Sequence, residues 1–222
     1  MNLLLLQTKI VWCNPQDNCS NIEALIDSKI SSGEHLGNKS DVDLIVLPEM
    51  FSTGFITNPK GYAEKDNYSL EWMKKVALKH NCAVCGSVAT EICNNNLSQF
   101  VNRMYFVYPS GDYLFYDKRH LFSYGGEQKH FTPGGKRVVA EWRGWRFLLQ
   151  ICYDLRFPNF SRNHTINKLD GTSSVTTEYD AAIYVASWPS SRIAVWDTLL
   201  KARAIENQCY TIGVNIVGEC NN

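Results

Sequence analysis

Residues 148–158 read Leu-Leu-Gln-Ile-Cys-Tyr-Asp-Leu-Arg-Phe-Pro, an apolar run that ends on a thiol and turns at once. Free cysteine is among the most buried residue types, so core filling is one reading of Cys152. A nucleophile on a strand-to-helix elbow is the other. That reading needs partners, because the thiolate and not the thiol attacks. Two further apolar runs stop on charged groups: Leu-Ile-Val-Leu-Pro-Glu on Glu49 and Leu-Phe-Tyr-Asp-Lys on Lys118. A carboxylate in hydrogen-bond reach takes the thiol proton as general base. An ammonium stabilises the thiolate, then the oxyanion formed when sulfur adds to a carbonyl. The backbone N–H of Tyr153, next along the elbow, is a second oxyanion donor. Singly, Glu49 reads as a capping or surface carboxylate and Lys118 as a solvated strand-end charge. Together with Cys152 they make base, clamp and nucleophile for acyl transfer without histidine. The competing arrangement is a Cys–His hydrolase or transferase with His120 or His130 as base, since such pairing is spatial rather than sequential.

These groups need a scaffold that gathers strand ends, and layered α/β folds place reactive groups just beyond strand C-termini. "LLLLQTKIV" reads as an opening strand and "DVDLIVLPE" as a strand buried on both faces. Between them Ile22, Leu25, Ile26 and Ile30 form a helical stripe, with Asn18 or Ser20 as the cap and Gly33 as the stop. A second helix over "NYSLEWMKKVALKHN" leads into a strand over "CAVCGSVA". Two hairpins follow, turning at Pro109–Asp112 and at Arg143-Gly144. Between them lies "RHLFSYGGEQKHFTPGGK", a loop of the length that carries function. "AAIYVASWP" and "CYTIGVNIVG" read as strands flanking a helix with Ile193, Trp196, Leu199, Leu200, Ala204 and Ile205 near one side. "NKLDGTSSVTTEYD" reads as a floppy insertion. Hairpins interleaved with helices predict an α/β chain with a mixed sheet.

The bulk numbers bound the function classes. The chain has 222 residues, 45% of them hydrophobic, with 22 basic and 22 acidic side chains. That balance gives no electrostatic reason to bind nucleic acid or an anionic membrane. The N-terminus has neither a secretory core nor a membrane span, so a cytoplasmic location is expected. Of the eight cysteines, Cys82 and Cys85 are spaced Cys-x-x-Cys. Their segment is apolar like a buried strand and no second ligand pair follows, so packing is preferred to a metal or redox site.

With these residues in view, the chain resembles the nitrilase (carbon–nitrogen hydrolase) superfamily. "LPEMFSTGF", "YDKRHLF" and "ICYDLRFP" match its Glu, Lys and Cys motifs in the same order. The resemblance implies a four-layer α-β-β-α sandwich, a homodimer and neither metal nor organic cofactor. It implies Glu49 as base, Lys118 as oxyanion lysine, Cys152 as nucleophile and Glu127 in "GGEQKHFTPGG" as a second glutamate. "KRHLFSYGGEQKHFTPG" and "YVASWPSSRIAVWDTLLKARAIENQCYTIGVNIVG" resemble the ω-amidase branch, whose members hydrolyse the terminal amide of short dicarboxylic monoamides such as 2-oxoglutaramate. A remote carboxylate needs a cation, ideally the planar fork of arginine, and Arg192 is the candidate. Arg156 is a second, although an ion pair with Asp154 or a loop carbonyl is the simpler expectation for it. Trp188 and Phe122 are candidate pocket walls, and Arg203 with Glu206 an intrahelical pair. The resemblance places residues 1–222 in one domain. Family members run several dozen residues beyond the strand matching "TIGVNIVG", so the C-terminal strands are expected to be missing or shortened. An N-carbamoyl amide hydrolase, a nitrilase and a non-catalytic scaffold of the same fold are the alternatives.

Overall fold

The computed structural model describes residues 1–32, 42–94, 97–167 and 175–218. Two sheets pack face to face. The first has order β1-β2-β3-β4-β5, from Leu3–Leu5, Leu44–Val46, Ala83–Asn94, Leu97–Val107 and Tyr113–Asp117. β1, β2 and β3 run parallel, and β4 and β5 then alternate direction. β5 therefore points the same way as β2, and both C-terminal ends meet at one edge. The second sheet sets β6 (Val139–Trp142) and β7 (Trp145–Ile151) beside β10 (Ala181–Ala186) and β11 (Tyr210–Asn215). β7, β10 and β11 are parallel.

The sheets share one core, in which Val46, Cys85, Met104 and Phe106 of the first meet Phe147, Leu149, Ile183 and Val185 of the second. Helices α1 (Pro15–Ser32) and α2 (Tyr68–His80) bury Ile22, Ile26, Met73 and Val76 against the outer face of the first sheet. After the one-turn helix α3 (Pro158–Ser161), helix α4 (Ile193–Asn207) lays Trp196, Leu199 and Leu200 on the second. The result is the four-layer α-β-β-α sandwich. Sheets buried on both faces explain the unbroken apolar runs, and every residue of β2 and β10 is buried.

Several local expectations are corrected. The opening strand is three residues long. Helix α1 starts at Pro15 rather than beyond Asn18, with Asn14 Oδ1 accepting from Asp17 N at 3.1 Å. Asn18 is buried and bonds to Val11 and Ser52 instead, fastening the helix to the chain after Glu49. The predicted stop at Gly33 lies outside the described residues. β3 runs on to Asn94 and pairs with β4 from Leu97, a longer hairpin than the apolar core of either strand indicated. The ends of the expected floppy insertion form a small antiparallel pair, β8 (Thr165–Asn167) with β9 (Val175–Thr177); the segment between them lies outside the described residues. On α4, Ile205 is 78% exposed and Ile193 42%, while Arg203 is buried. Arg203 pairs with Glu206 at 2.9 Å as expected, and also donates at 2.6 Å to the Leu155 carbonyl, tying the helix to the Cys152 elbow. The turns at Pro109–Asp112 and Arg143-Gly144 fall where predicted. Arg143 and Gly144 both take the left-handed conformation that a two-residue hairpin demands.

Candidate active site

Three strand ends converge. β2 runs through Leu47-Pro48 to Glu49, β5 ends one residue before Lys118, and β7 ends one residue before Cys152. Cys152 has φ +44°, a left-handed conformation that costs a non-glycine residue on the order of 1–3 kcal/mol. Such a bend turns the chain from β7 into the short 3₁₀ segment Cys152–Arg156 and presents the thiol at the strand end. Asp154 holds the bend. It is fully buried and accepts from Ile151 N at 3.0 Å, Tyr116 Oη at 2.7 Å and His120 N at 2.9 Å. Tyr116 and His120 flank Lys118, so one carboxylate ties the elbow of the second sheet to the lysine strand of the first. Gly134 closes the same corner: a Cβ there would overlap the Asp117 carbonyl oxygen, and its N–H donates to Lys118 O at 2.9 Å.

Glu49, Lys118 and Glu127 are each at most 1% exposed. Lys118 Nζ lies 2.8 Å from Glu49 Oε1 and 2.9 Å from Glu127 Oε2. Glu127 also accepts from Phe122 N at 2.6 Å, and Glu49 Oε2 from Ser187 N at 2.9 Å, just beyond β10. Asn102, in the middle of β4, donates to Glu49 Oε1 at 2.8 Å and to Glu127 Oε1 at 3.3 Å. Buried charges persist only when paired and hydrogen-bonded, and here nearly every oxygen is satisfied. Burial alone would push the Lys118 ammonium down, but Glu127 and then Glu49 raise it above the ordinary lysine range. Burial pushes the Cys152 thiol well up, and Glu49 pushes it further against the pull of Lys118. The resting site therefore holds a neutral thiol beside a carboxylate and an ammonium. Its thiolate must be generated by proton transfer at the moment of attack.

Of these groups Cys152 reaches the wall of a cleft of about 1280 Å³. Phe55, Phe122, Tyr153, Trp188, Arg156 and Arg192 line it too. Phe122 packs edge-on against Tyr153 at 5.3 Å, and Trp188 is fixed through paired bonds between its backbone and the Asn215 side chain. The Arg192 guanidinium lies 5.5 Å from the Phe122 ring centre and that of Arg156 5.2 Å from the Trp188 ring centre. Neither has a carboxylate partner among the described residues. The expected ion pair of Arg156 with Asp154 is therefore absent, because other donors occupy both oxygens of Asp154, and Arg156 opens on the cleft instead.

The structure brings Glu49, Lys118, Glu127 and Cys152 together and sets Tyr153, Phe122, Trp188 and Arg192 along the adjoining cleft. Asn102, Asn215 and Ser187 escaped the reading of the sequence, since lone polar residues at the middle or end of apolar strands carry no motif. His120 is not positioned as a base for Cys152: its Nδ1 lies 2.7 Å from Asp154 and its ring stacks on Phe157 at 3.8 Å. His130 is exposed. Cys82 and Cys85 are fully buried free thiols, both pushed upward by burial, Cys82 to about 12, as strand packing requires. Among the described residues no group of His, Cys, Asp and Glu has the arrangement of a metal site, and no helix is long and apolar enough to cross a membrane.

Residues 5–221 match the model of the carbon–nitrogen hydrolase family. The chain belongs to that family. It is 42% identical over all 222 residues to the Omega-amidase YafV of Yersinia enterocolitica, spanning 77% of that protein. It is 33% identical to the 2-oxoglutaramate amidase of Bacillus subtilis, over 96% of this chain and 75% of that one. A CN-hydrolase superfamily protein of Xanthomonas campestris, solved with an arsenic adduct in its active site, superposes with a TM-score of 0.82 at 36% identity. That match covers 97% of this chain and 76% of the other. As a member of that family, the chain is a carbon–nitrogen hydrolase.

Proposed function

We propose that this carbon–nitrogen hydrolase is an ω-amidase, releasing ammonia from the terminal amide of 2-oxoglutaramate-type monoamides of short dicarboxylic acids. The observation that carries the reading is a buried nucleophile–base–ammonium cluster opening, through Cys152, on a cleft with two unneutralised guanidiniums. Relatives named for ω-amidase and 2-oxoglutaramate amidase activity support it. In this reading Cys152 Sγ attacks the amide carbon as its proton passes to Glu49. Lys118 and the Tyr153 N–H stabilise the oxyanion, and Glu127 keeps Lys118 protonated and in place. The intermediate collapses as Glu49 protonates the departing nitrogen, leaving a thioester on Cys152 and free ammonia. Water then gives a proton to Glu49 and adds to the thioester. Collapse returns that proton to sulfur and frees the carboxylic acid.

Arg192 binds the remote carboxylate and Arg156 supplies a second fork toward it or the 2-oxo group, while Phe122 and Trp188 wall the carbon chain. The reading includes a single domain over residues 1–222 and a cytoplasmic homodimer; sedimentation velocity checks the assembly. Ammonia release is measured from 2-oxoglutaramate, 2-oxosuccinamate, glutamine, N-carbamoyl-β-alanine and a simple nitrile, with wild type and Cys152→Ala. Turnover of the oxo-amides, lost in the variant, is the expected result. Turnover of the carbamoyl compound or the nitrile alone would move the chain to another branch of the family, and silence across the panel on folded protein would favour a scaffold.

A further inference from the structure

Asn102 is fully buried in an otherwise largely apolar stretch of β4, and its Oδ1 has no hydrogen-bond partner among the described residues. An orphaned buried carbonyl is costly, and an apolar residue of the same size would fill the space without it. What the amide adds is its donor end. Nδ2 reaches Glu49 Oε1 at 2.8 Å and Glu127 Oε1 at 3.3 Å. Lys118 Nζ reaches the same two oxygens, at 2.8 and 3.2 Å. The main-chain carbonyl of Asn102 accepts from Lys118 N at 2.9 Å, so the amide and the ammonium are also set in register by the backbone.

Two like-charged carboxylates are thus bridged twice, once by a cation and once by a neutral group. The two bridges behave differently during the reaction. Lys118 is drawn toward the oxyanion as negative charge develops there, which weakens its hold on Glu49. The amide carries no charge to be drawn away.

We propose that Asn102 is a positioning residue for amide hydrolysis. It holds Glu49 by Oε1 throughout the cycle, so that Oε2, the oxygen bonded by Ser187 N, is the one that exchanges protons with Cys152 and with water. The proposal rests on the amidase reading of the site. A pinned carboxylate keeps its transferable proton within reach of one acceptor, whereas a carboxylate freed to rotate samples orientations that transfer nothing.

The test is steady-state kinetics of wild type, Asn102→Leu and Asn102→Asp on the amide that wild type hydrolyses, from about pH 5.5 to 9, together with melting temperatures. Asn102→Leu is expected to lose roughly 10- to 100-fold in kcat, with KM within about 2-fold. Asn102→Asp, of the same shape, regains activity relative to wild type as pH falls, because the protonated acid still donates. A pH-dependent recovery in Asn102→Asp that Asn102→Leu lacks is the signature. A folded variant of either kind with wild-type kcat and wild-type profile, whatever its melting temperature, would overturn the proposal. Should Asn102→Leu not fold, the profile of Asn102→Asp decides. Silent wild type on every amide would instead overturn the amidase reading and this proposal with it.

Discussion

The interior of the site and the mouth of its cleft are built on opposite principles. Inside, Glu49, Lys118 and Glu127 are at most 1% exposed, and each carboxylate has at least three donors. At the mouth, Arg156 and Arg192 are exposed, lie against single aromatic rings and have no carboxylate partner among the described residues. The interior is closed and its charges are paired with one another, so they act only on what Cys152 presents to them. The mouth keeps unspent donors for something that arrives from solution. Chemistry is therefore set by the first region and choice of substrate by the second, and the two should separate in kinetics.

The largest effects belong to the interior. Cys152→Ala should lower kcat by at least about 10⁴-fold, read as ammonia release from the preferred amide. Glu49→Gln should cost about 10³- to 10⁴-fold, again in kcat. Near-wild-type activity in Glu49→Gln would restore the Cys–His alternative. Lys118→Met should remove turnover and also destabilise the fold by about 3–5 kcal/mol in urea titration, because it leaves two buried carboxylates without a cation. A silent effect on stability would break the claim that the interior is a mutually satisfied charge cluster.

The mouth behaves otherwise. Arg192→Leu and Arg156→Leu should each raise KM for a carboxylate-bearing amide by roughly 10- to 100-fold with kcat little changed. Simple amides without the carboxylate should be insensitive to both. A kcat effect as large as the KM effect would mean that the two regions are not separable.

That contrast also explains what the sequence could be read to contain. Glu49, Lys118 and Cys152 were legible because each ends a strand abruptly, and a charge or a turn after an apolar run is a strong local signal. The α/β character was legible for a similar reason, since strands buried on both faces have no polar alternation, whereas the four-layer sandwich was implied only by the family resemblance. Asn102 was not legible, because its significance lies in two carboxylates 53 and 25 residues away. Arg156 was misjudged because Asp154 sits two positions before it. Only the fold shows that Tyr116, His120 and Ile151 occupy that carboxylate. Ile205 followed the helical stripe yet faces solvent, and Arg203 took the buried side because the Leu155 carbonyl and Glu206 satisfy it there. In each case a partner distant in sequence outweighed the local pattern.

The smallest effect concerns stability away from the site. Burial holds Cys19 and Cys82 up to about 12, against an ordinary thiol value near 9, and raises Cys85 as well. For a raised thiol the folded state keeps its proton while the unfolded chain loses it. The stabilisation is complete below about pH 9 and is lost as pH rises toward 12. Melting temperatures should decline over that window, whereas replacing the exposed Cys93 by Ser should leave the decline unchanged.

The central claim is that Cys152 carries the acyl group while Glu49 moves the protons. Acid quenching of wild type during steady-state turnover of 2-oxoglutaramate, followed by peptide mass mapping, tests it most directly. The predicted result is a 2-oxoglutaryl adduct on the peptide containing Cys152, and on none of the peptides bearing Cys82, Cys85 or Cys93. Undiminished ammonia release by Cys152→Ala, with the adduct on another residue or on none, would contradict it.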